Sequence, residues 1–289
     1  MASLVVGQPY LWLLGALSVA LRGGIVLLVL PIIVLPTPVE VRLALGANLG
    51  SAGLTPDFWS LVALATAASV LIALAVLICL AWIEMAAFER VTAGAQPVQP
   101  RRRGLLGRLF VIQALSLLAI AVCAIPLAAM IGQATYDELL RPSSNSSIYV
   151  RVIGQLVPAL IPFVAAVVVI DALSAIATRR LLAQRRSLLA AVAGALVEPL
   201  RSTLRTFVTV LVGWSATIAV LGAAWLGLSL AWRFTRGSFL AITSIFEPGQ
   251  LILPILVALF LTAVFAVSVL SAGVASAFRS VLWSVQFKR

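Results

Sequence analysis

Glu84 and Asp171 are the two carboxylates that fall at the inner ends of long apolar runs. An ionisable group embedded in a bilayer is the first place to look for function. Two such carboxylates on neighbouring helices could share a proton or hold a small cation. The simpler expectation is that both sit at the headgroup boundary and pair with arginine, either Arg90, close to Glu84, or Arg179. A two-aspartate protease would need a second embedded Asp, whereas Asp57 and Asp137 fall in loops. The chain contains no histidine. A serine–histidine relay, a histidine-ligated metal or haem and a histidine general base are therefore excluded. Cys79 and Cys123 lie inside apolar runs, without a second pair at zinc-site spacing, and read as small packing residues. Neither a phosphate-binding GxxxxGK[ST] loop nor a dinucleotide fingerprint occurs. The expectation is a non-enzymatic chain with no cofactor and no metal.

The elements that would position these carboxylates follow from composition. Of 289 residues, 63% are hydrophobic and 10% charged, and the mean hydropathy is +1.17. Soluble domains carry charge on about a quarter of their residues, so this chain has too little polar surface to cover a globule in water. Crossing a bilayer takes about 20 apolar residues in a helix. Residues 58–83, 109–132, 152–176, 207–232 and 250–272 each satisfy that requirement. A sixth stretch, residues 11–35, is interrupted by Arg22-Gly23-Gly24. It is either one long helix with Arg22 snorkelling near its inner end, or an interfacial helix over 10–21 feeding a shorter crossing over 23–36. Two short crossings would each be too short. The fold class expected is all-α: a polytopic bundle of about six transmembrane helices in three successive hairpins, one membrane domain over residues 1–289, with amphipathic interfacial helices. Residues 1–10 offer no basic segment ahead of the apolar stretch, so a cleaved signal peptide is not expected.

Charge sets the orientation. The N-terminus, the second and fourth connections and the C-terminal tail hold 15 Lys and Arg, and the remaining connections hold 5. Cytoplasmic segments are enriched in Lys and Arg, which places both termini in the cytoplasm of a bacterial cell with the chain in its inner membrane. The net charge of +11 then reads as a surface facing anionic lipid headgroups, not as a nucleic-acid site. All basic residues but Lys288 are Arg, the signature of a GC-rich genome. Trp59, Tyr136, Tyr149 and Trp232 fall at outer boundaries, and Trp82 and Trp283 at inner ones, as an interfacial belt requires. Trp214 and Trp225 read as packing residues.

The connection over residues 179–205 is the most structured. Apolar Val192, Leu196, Leu200, Leu204 and Phe207 recur on one helical face, and Glu198, Arg201 and Arg205 line another. Residues 181–197 read as a helix lying on the inner leaflet, with Pro199 in the first turn of the next helix. Its arginines, Arg179, Arg180, Arg185, Arg186, Arg201 and Arg205, and the run Arg101, Arg102, Arg103, are candidate contacts for lipid headgroups or a protein partner. The tail from Phe278 onwards reads as a further surface helix. Pro126, Pro158, Pro162 and Pro254 remove backbone donors and kink their helices. Small-residue faces at Ala65/Ser69/Ala73 and Ser268/Ala272/Ser276 suit close helix packing. Asn145-Ser146-Ser147, a formal glycosylation sequon, reads as linker.

The six-helix layout, the basic segment 179–205 and the closing Ala277-Phe278-Arg279-Ser280-Val281-Leu282-Trp283 together resemble a broad group of bacterial membrane proteins similar to the membrane domain fused to some glycerophosphodiester phosphodiesterases. The resemblance implies a non-catalytic membrane module and assigns no functional residues. The function expected is a subunit or scaffold of a larger membrane assembly, with a protein partner or a second copy in the bilayer. The alternative is a transporter or permease subunit for a lipophilic or small solute. A cavity between the helices over 109–132, 152–176 and 250–272 would favour the alternative.

Overall fold

The computed structural model describes residues 8–29, 56–92, 102–140, 148–184, 186–241 and 252–286. Among these, every regular element is a helix: α1 (Pro9–Leu21), α2 (Gly24–Val29), α3 (Pro56–Thr92), α4 (Arg102–Leu140), α5 (Ile148–Gln184), α6 (Leu188–Arg201), α7 (Thr203–Ala241) and α8 (Ile252–Gln286). Five of them, α3, α4, α5, α7 and α8, are long and apolar enough to cross a membrane. In hydrocarbon the helix satisfies its own backbone donors and acceptors, so long apolar runs have no better option. The architecture is that of a multi-pass membrane protein.

The stretch over 11–35 does not form one continuous helix. The chain turns at Arg22-Gly23, where Gly23 takes φ +85°, a region that costs a side-chain-bearing residue but not glycine. The Arg22 N–H donates to Ser18 O at 3.0 Å, closing α1. Residues 30–35 lie outside the described residues, as do the sequon, Arg101 and Arg185.

The long helices overrun their expected ends. α3 has 37 residues, about 55 Å at ~1.5 Å per residue, against a hydrocarbon core of about 30 Å. α5 continues unbroken to Gln184 through both Pro158 and Pro162, and α4 runs through Pro126. The surface helix accordingly starts at Leu188 and not near 181, with Ser187 as its N-cap accepting from the Ala190 N–H at 3.3 Å. Pro199 belongs to the end of α6, and α7 begins after Ser202. The tail, too, is different from expectation. Residues 278–286 prolong α8, and Val281, Trp283 and Ser284 are buried in the bundle. No proline separates residue 272 from 286, and the small residues of this stretch let α8 approach its neighbours closely.

The core sits at one end of the bundle, where the C-terminal parts of α3, α5 and α8 meet the N-terminal part of α4. One cluster joins Ala81 and Met85 of α3, Leu109 and Ile112 of α4, Ile176 and Leu181 of α5, Ala191 and Ala195 of α6 and Trp283 of α8. A second joins Leu11 and Leu14 of α1 to Ile83 and Ala87 of α3 and Ala277 and Val281 of α8. α1 is seated on α8 through two glycines. A Cβ on Gly273 would lie 2.5 Å from Trp12 O and 2.7 Å from the Ala16 N, and one on Gly15 would collide with Gly273 O. Ser268 and Ala272 are buried, so that small-residue face is used within the chain. Ala65 and Ser69 of α3 are exposed, and the Ser69 hydroxyl is satisfied by Ala65 O at 2.8 Å. Cys79 is exposed and Cys123 half-buried, so neither is a core residue.

α6 packs by its small side. Ala191 and Ala195 are buried, while Leu189 and Leu200 are 83% and 81% exposed. A Cβ on Gly194 would collide with the Arg180 guanidinium. That close approach leaves Arg180 free to reach across from α5 and pair with Glu198 of α6. The leucines of the expected apolar stripe therefore point off the bundle.

A charged cavity inside the helix bundle

Five charged side chains from three helices and the α1–α2 turn converge where the two core clusters meet. Arg22, at the turn, donates from Nη2 to Glu84 Oε1 of α3 and from Nη1 to Asp171 Oδ1 of α5, each at 3.3 Å. Arg179, two turns further along α5 from Asp171, donates from Nη2 to Glu84 Oε2 at 3.1 Å and to Ser280 Oγ of α8 at 2.6 Å. Arg279 of α8 donates to the same Asp171 Oδ1 that Arg22 uses. The Arg279 guanidinium also lies over the Trp214 ring of α7, 5.4 Å from its centroid, within cation–π range.

The sequence positions these groups for simple reasons. Asp171 and Arg179 are eight apart on one helix, close to two turns, so they share a face of α5. Arg22 is placed by the Gly23 turn and by the seating of α1 on Gly273. Glu84 lies eight residues before Thr92, the end of α3, or roughly 12 Å along the axis. The cluster is therefore recessed from the end of the bundle and enclosed by it. Arg179 is 2% exposed, and a charge so placed persists only when paired and hydrogen-bonded.

The cluster forms one wall of a cavity of about 530 Å³, within the range of about 300–1,000 Å³ usual for ligand sites. Elsewhere its wall is apolar, with Leu11 and Leu14 of α1, Leu77 and Leu80 of α3, Leu117 and Ile120 of α4 and Leu221 of α7. Gln113, Ser116, Ser174, Thr178 and Thr217 add hydroxyl and amide groups to the lining. α4, α5 and α8 all line it.

The expected pairing of Glu84 with Arg179 is present. The other candidate, Arg90, instead lies over the Tyr10 ring at 4.8 Å. Glu84 and Asp171 do come together, bridged by Arg22, but three guanidinium groups surround them. Arg179 was expected at a surface and is the most enclosed charge of the cluster. Arg180 is taken by Glu198, Arg205 donates to Gln286 O at 3.0 Å, and Arg186 and Arg201 are exposed. Arg102 and Arg103 open α4. Sequence reading missed Arg22 and Arg279 as partners of the carboxylates and Trp214 as a neighbour of Arg279. The available signal was Arg22 interrupting an apolar run, an expensive placement that calls for a counter-charge. Nothing in the spacing marked Arg279, which looked like one more arginine at a helix end.

Comparison with family models, curated proteins and solved structures finds no match to this chain.

Proposed function

We propose that this protein is a transporter or permease subunit for a lipophilic or small solute, in the inner membrane of a bacterial cell with both termini in the cytoplasm. The single observation behind this reading is the cavity of about 530 Å³ lined by α1, α3, α4, α5, α7 and α8. A bundle serving only as scaffold has no need to hold that volume open against close packing, since voids forfeit contact energy. Pro158 and Pro162 lie within one continuous α5 and carry no part of this reading. Orientation rests on the division of Lys and Arg between the two sets of connections, 15 against 5. The exposed leucines of α6, with exposed Arg186 just before it and Arg201 at its end, suit a helix lying in an anionic leaflet.

Filling the cavity tests the proposal. Ile120→Trp places an indole into the cavity from α4, and Leu64→Trp, at an exposed position on α3, serves as control. In proteoliposomes the wild-type chain is expected to accelerate exchange of a fluorescent phospholipid between leaflets. Ile120→Trp should reduce that rate at least tenfold and Leu64→Trp should leave it unchanged. A rate equal to that of protein-free liposomes, or one indifferent to Ile120→Trp, would overturn the proposal. A second reading, a subunit of a larger assembly, draws on the exposed Ala65/Ser69 face of α3 and predicts a stoichiometric partner after mild-detergent purification.

A further inference from the structure

We infer that the charged wall of the cavity is a site for a single oxyanion: the phosphodiester or carboxylate head of an amphiphile whose apolar part lies along the leucine wall. The inference rests on the cavity being a solute site, as proposed above, and adds the chemistry of what it takes.

Charge comes first. Arg22, Arg179 and Arg279 face Glu84 and Asp171, so these five groups leave one positive charge uncompensated. Recessed in an apolar bundle, that charge is costly, and one monoanion cancels it. The same surplus turns away cations and repels basic head groups.

Hydrogen bonding agrees. Each guanidinium offers five N–H donors and no acceptor. Glu84 receives one bond from Arg22 and one from Arg179, and Asp171 Oδ1 receives both Arg22 and Arg279. Arg179, with a side chain 3% exposed, lines the cavity, yet its Nε and Nη1 have no hydrogen-bond partner among the described residues. The neighbouring Thr178 Oγ1, also on the cavity wall, is likewise buried and unpartnered. Buried polar groups in folded proteins are nearly always satisfied, so a cluster of orphaned donors beside an unpaired positive charge marks the place of a missing acceptor. An oxyanion supplies several acceptor oxygens and the charge together.

Arg22 is the group an arriving head meets. Its side chain is 34% exposed, and its two contacts with the carboxylates, both 3.3 Å, are long for hydrogen bonds. It can turn to an incoming anion while Arg179 and Arg279 keep the carboxylates neutralised.

The test is titration of the purified full chain in nonionic detergent, read by native mass spectrometry, with dioleoyl phosphatidylglycerol and dioleoylglycerol. The two share acyl chains and differ in the charged head. The wild-type chain is expected to bind the phospholipid at least tenfold more tightly. Arg22→Gln, and independently Arg279→Gln, should each shrink that preference below threefold while dioleoylglycerol binding stays unchanged. Millimolar inorganic phosphate separates the sources of the anion. Displacement of the phospholipid means the head alone is recognised, and persistence means the acyl chains are required. Equal affinity for the two lipids, or a preference that survives both substitutions, overturns the inference. Ile120→Trp distinguishes the two levels of failure. If it blocks both lipids while neither is preferred, the cavity takes solutes without reading charge. If it blocks neither, the cavity is not the solute site.

Discussion

Glu84→Met is expected to be the most destabilising single substitution in the bundle, lowering stability by about 3–5 kcal/mol, the cost of breaking a buried ion pair from one side. Glu84 is the sole carboxylate paired with Arg179 among the described residues, and Arg179 has a side chain 3% exposed. Without Glu84, Arg179 keeps its hydrogen bonds to Ser280 and its place over the Phe88 ring but has no counter-charge of its own, and three guanidinium groups are left with one carboxylate. The converse substitution, Arg179→Met, should cost less. It leaves Glu84 with Arg22 and makes the remaining four groups neutral. The double variant Glu84→Met/Arg179→Met should recover most of the loss, because it removes charge and counter-charge together. Thermal denaturation of the detergent-solubilised protein, followed by fluorescence-detected size exclusion, gives the order. Glu84→Met melting as high as Arg179→Met would mean that Arg179 does not depend on Glu84.

Gly273→Ala is expected to lift α1 off α8. The added methyl would sit 2.5 Å from one backbone atom of α1 and 2.7 Å from another, and backbone atoms cannot rotate away as a side chain can. Overpacking of this kind costs about 1–3 kcal/mol, occasionally more, and here the helices can relieve it only by separating. Separation withdraws Arg22 from both carboxylates, so a single methyl group should dismantle the charged cluster from a distance. The measurement uses Ser18→Cys, a buried position on α1 that lines the cavity, with Cys79 and Cys123 replaced by alanine and with a polyethylene-glycol maleimide too large to enter that cavity. The thiol should be protected from this reagent on the Gly273 background and reactive on the Ala background. Gly132→Ala, where a Cβ meets nothing, should leave it protected. Identical labelling in all three would show that α1 is not held by the glycine contact.

How much of this was legible in sequence follows from what each signal depends on. Hydropathy depends on local composition, so the five long helices and their rough limits were readable. Their ends were not. Nothing in a polar or small-residue sequence says that a helix stops at the membrane surface, and α3, α5 and α8 continue because partners are waiting. Trp283 shows the consequence. By position it belonged to an interfacial belt, but it is 3% exposed in the core because α8 carries it past α3 and α5. Arg22 marked the interruption of the first apolar stretch, but whether residues 11–35 turned or continued depended on Gly23 adopting positive φ. Glu84 and Asp171 were identifiable as embedded carboxylates. Their partners were less so, because Arg22 and Arg279 lie 149 and 108 residues from Asp171 and no spacing rule reaches across helices. The apolar stripe of α6 was readable, but not that the opposite side would pack on the bundle: Ala191, Gly194 and Ala195 allow closer packing than leucine does.

The account depends on an open polar space inside the bundle at the level of Asp171. Its most direct test is the reaction of Ser174→Cys, on the cavity wall of α5, with a small water-soluble methanethiosulfonate in proteoliposomes, again with the native cysteines replaced. Rapid modification, lost when Ile120→Trp is added, is the predicted result. A thiol at residue 174 as unreactive as one at the lipid-exposed position 64 would contradict it.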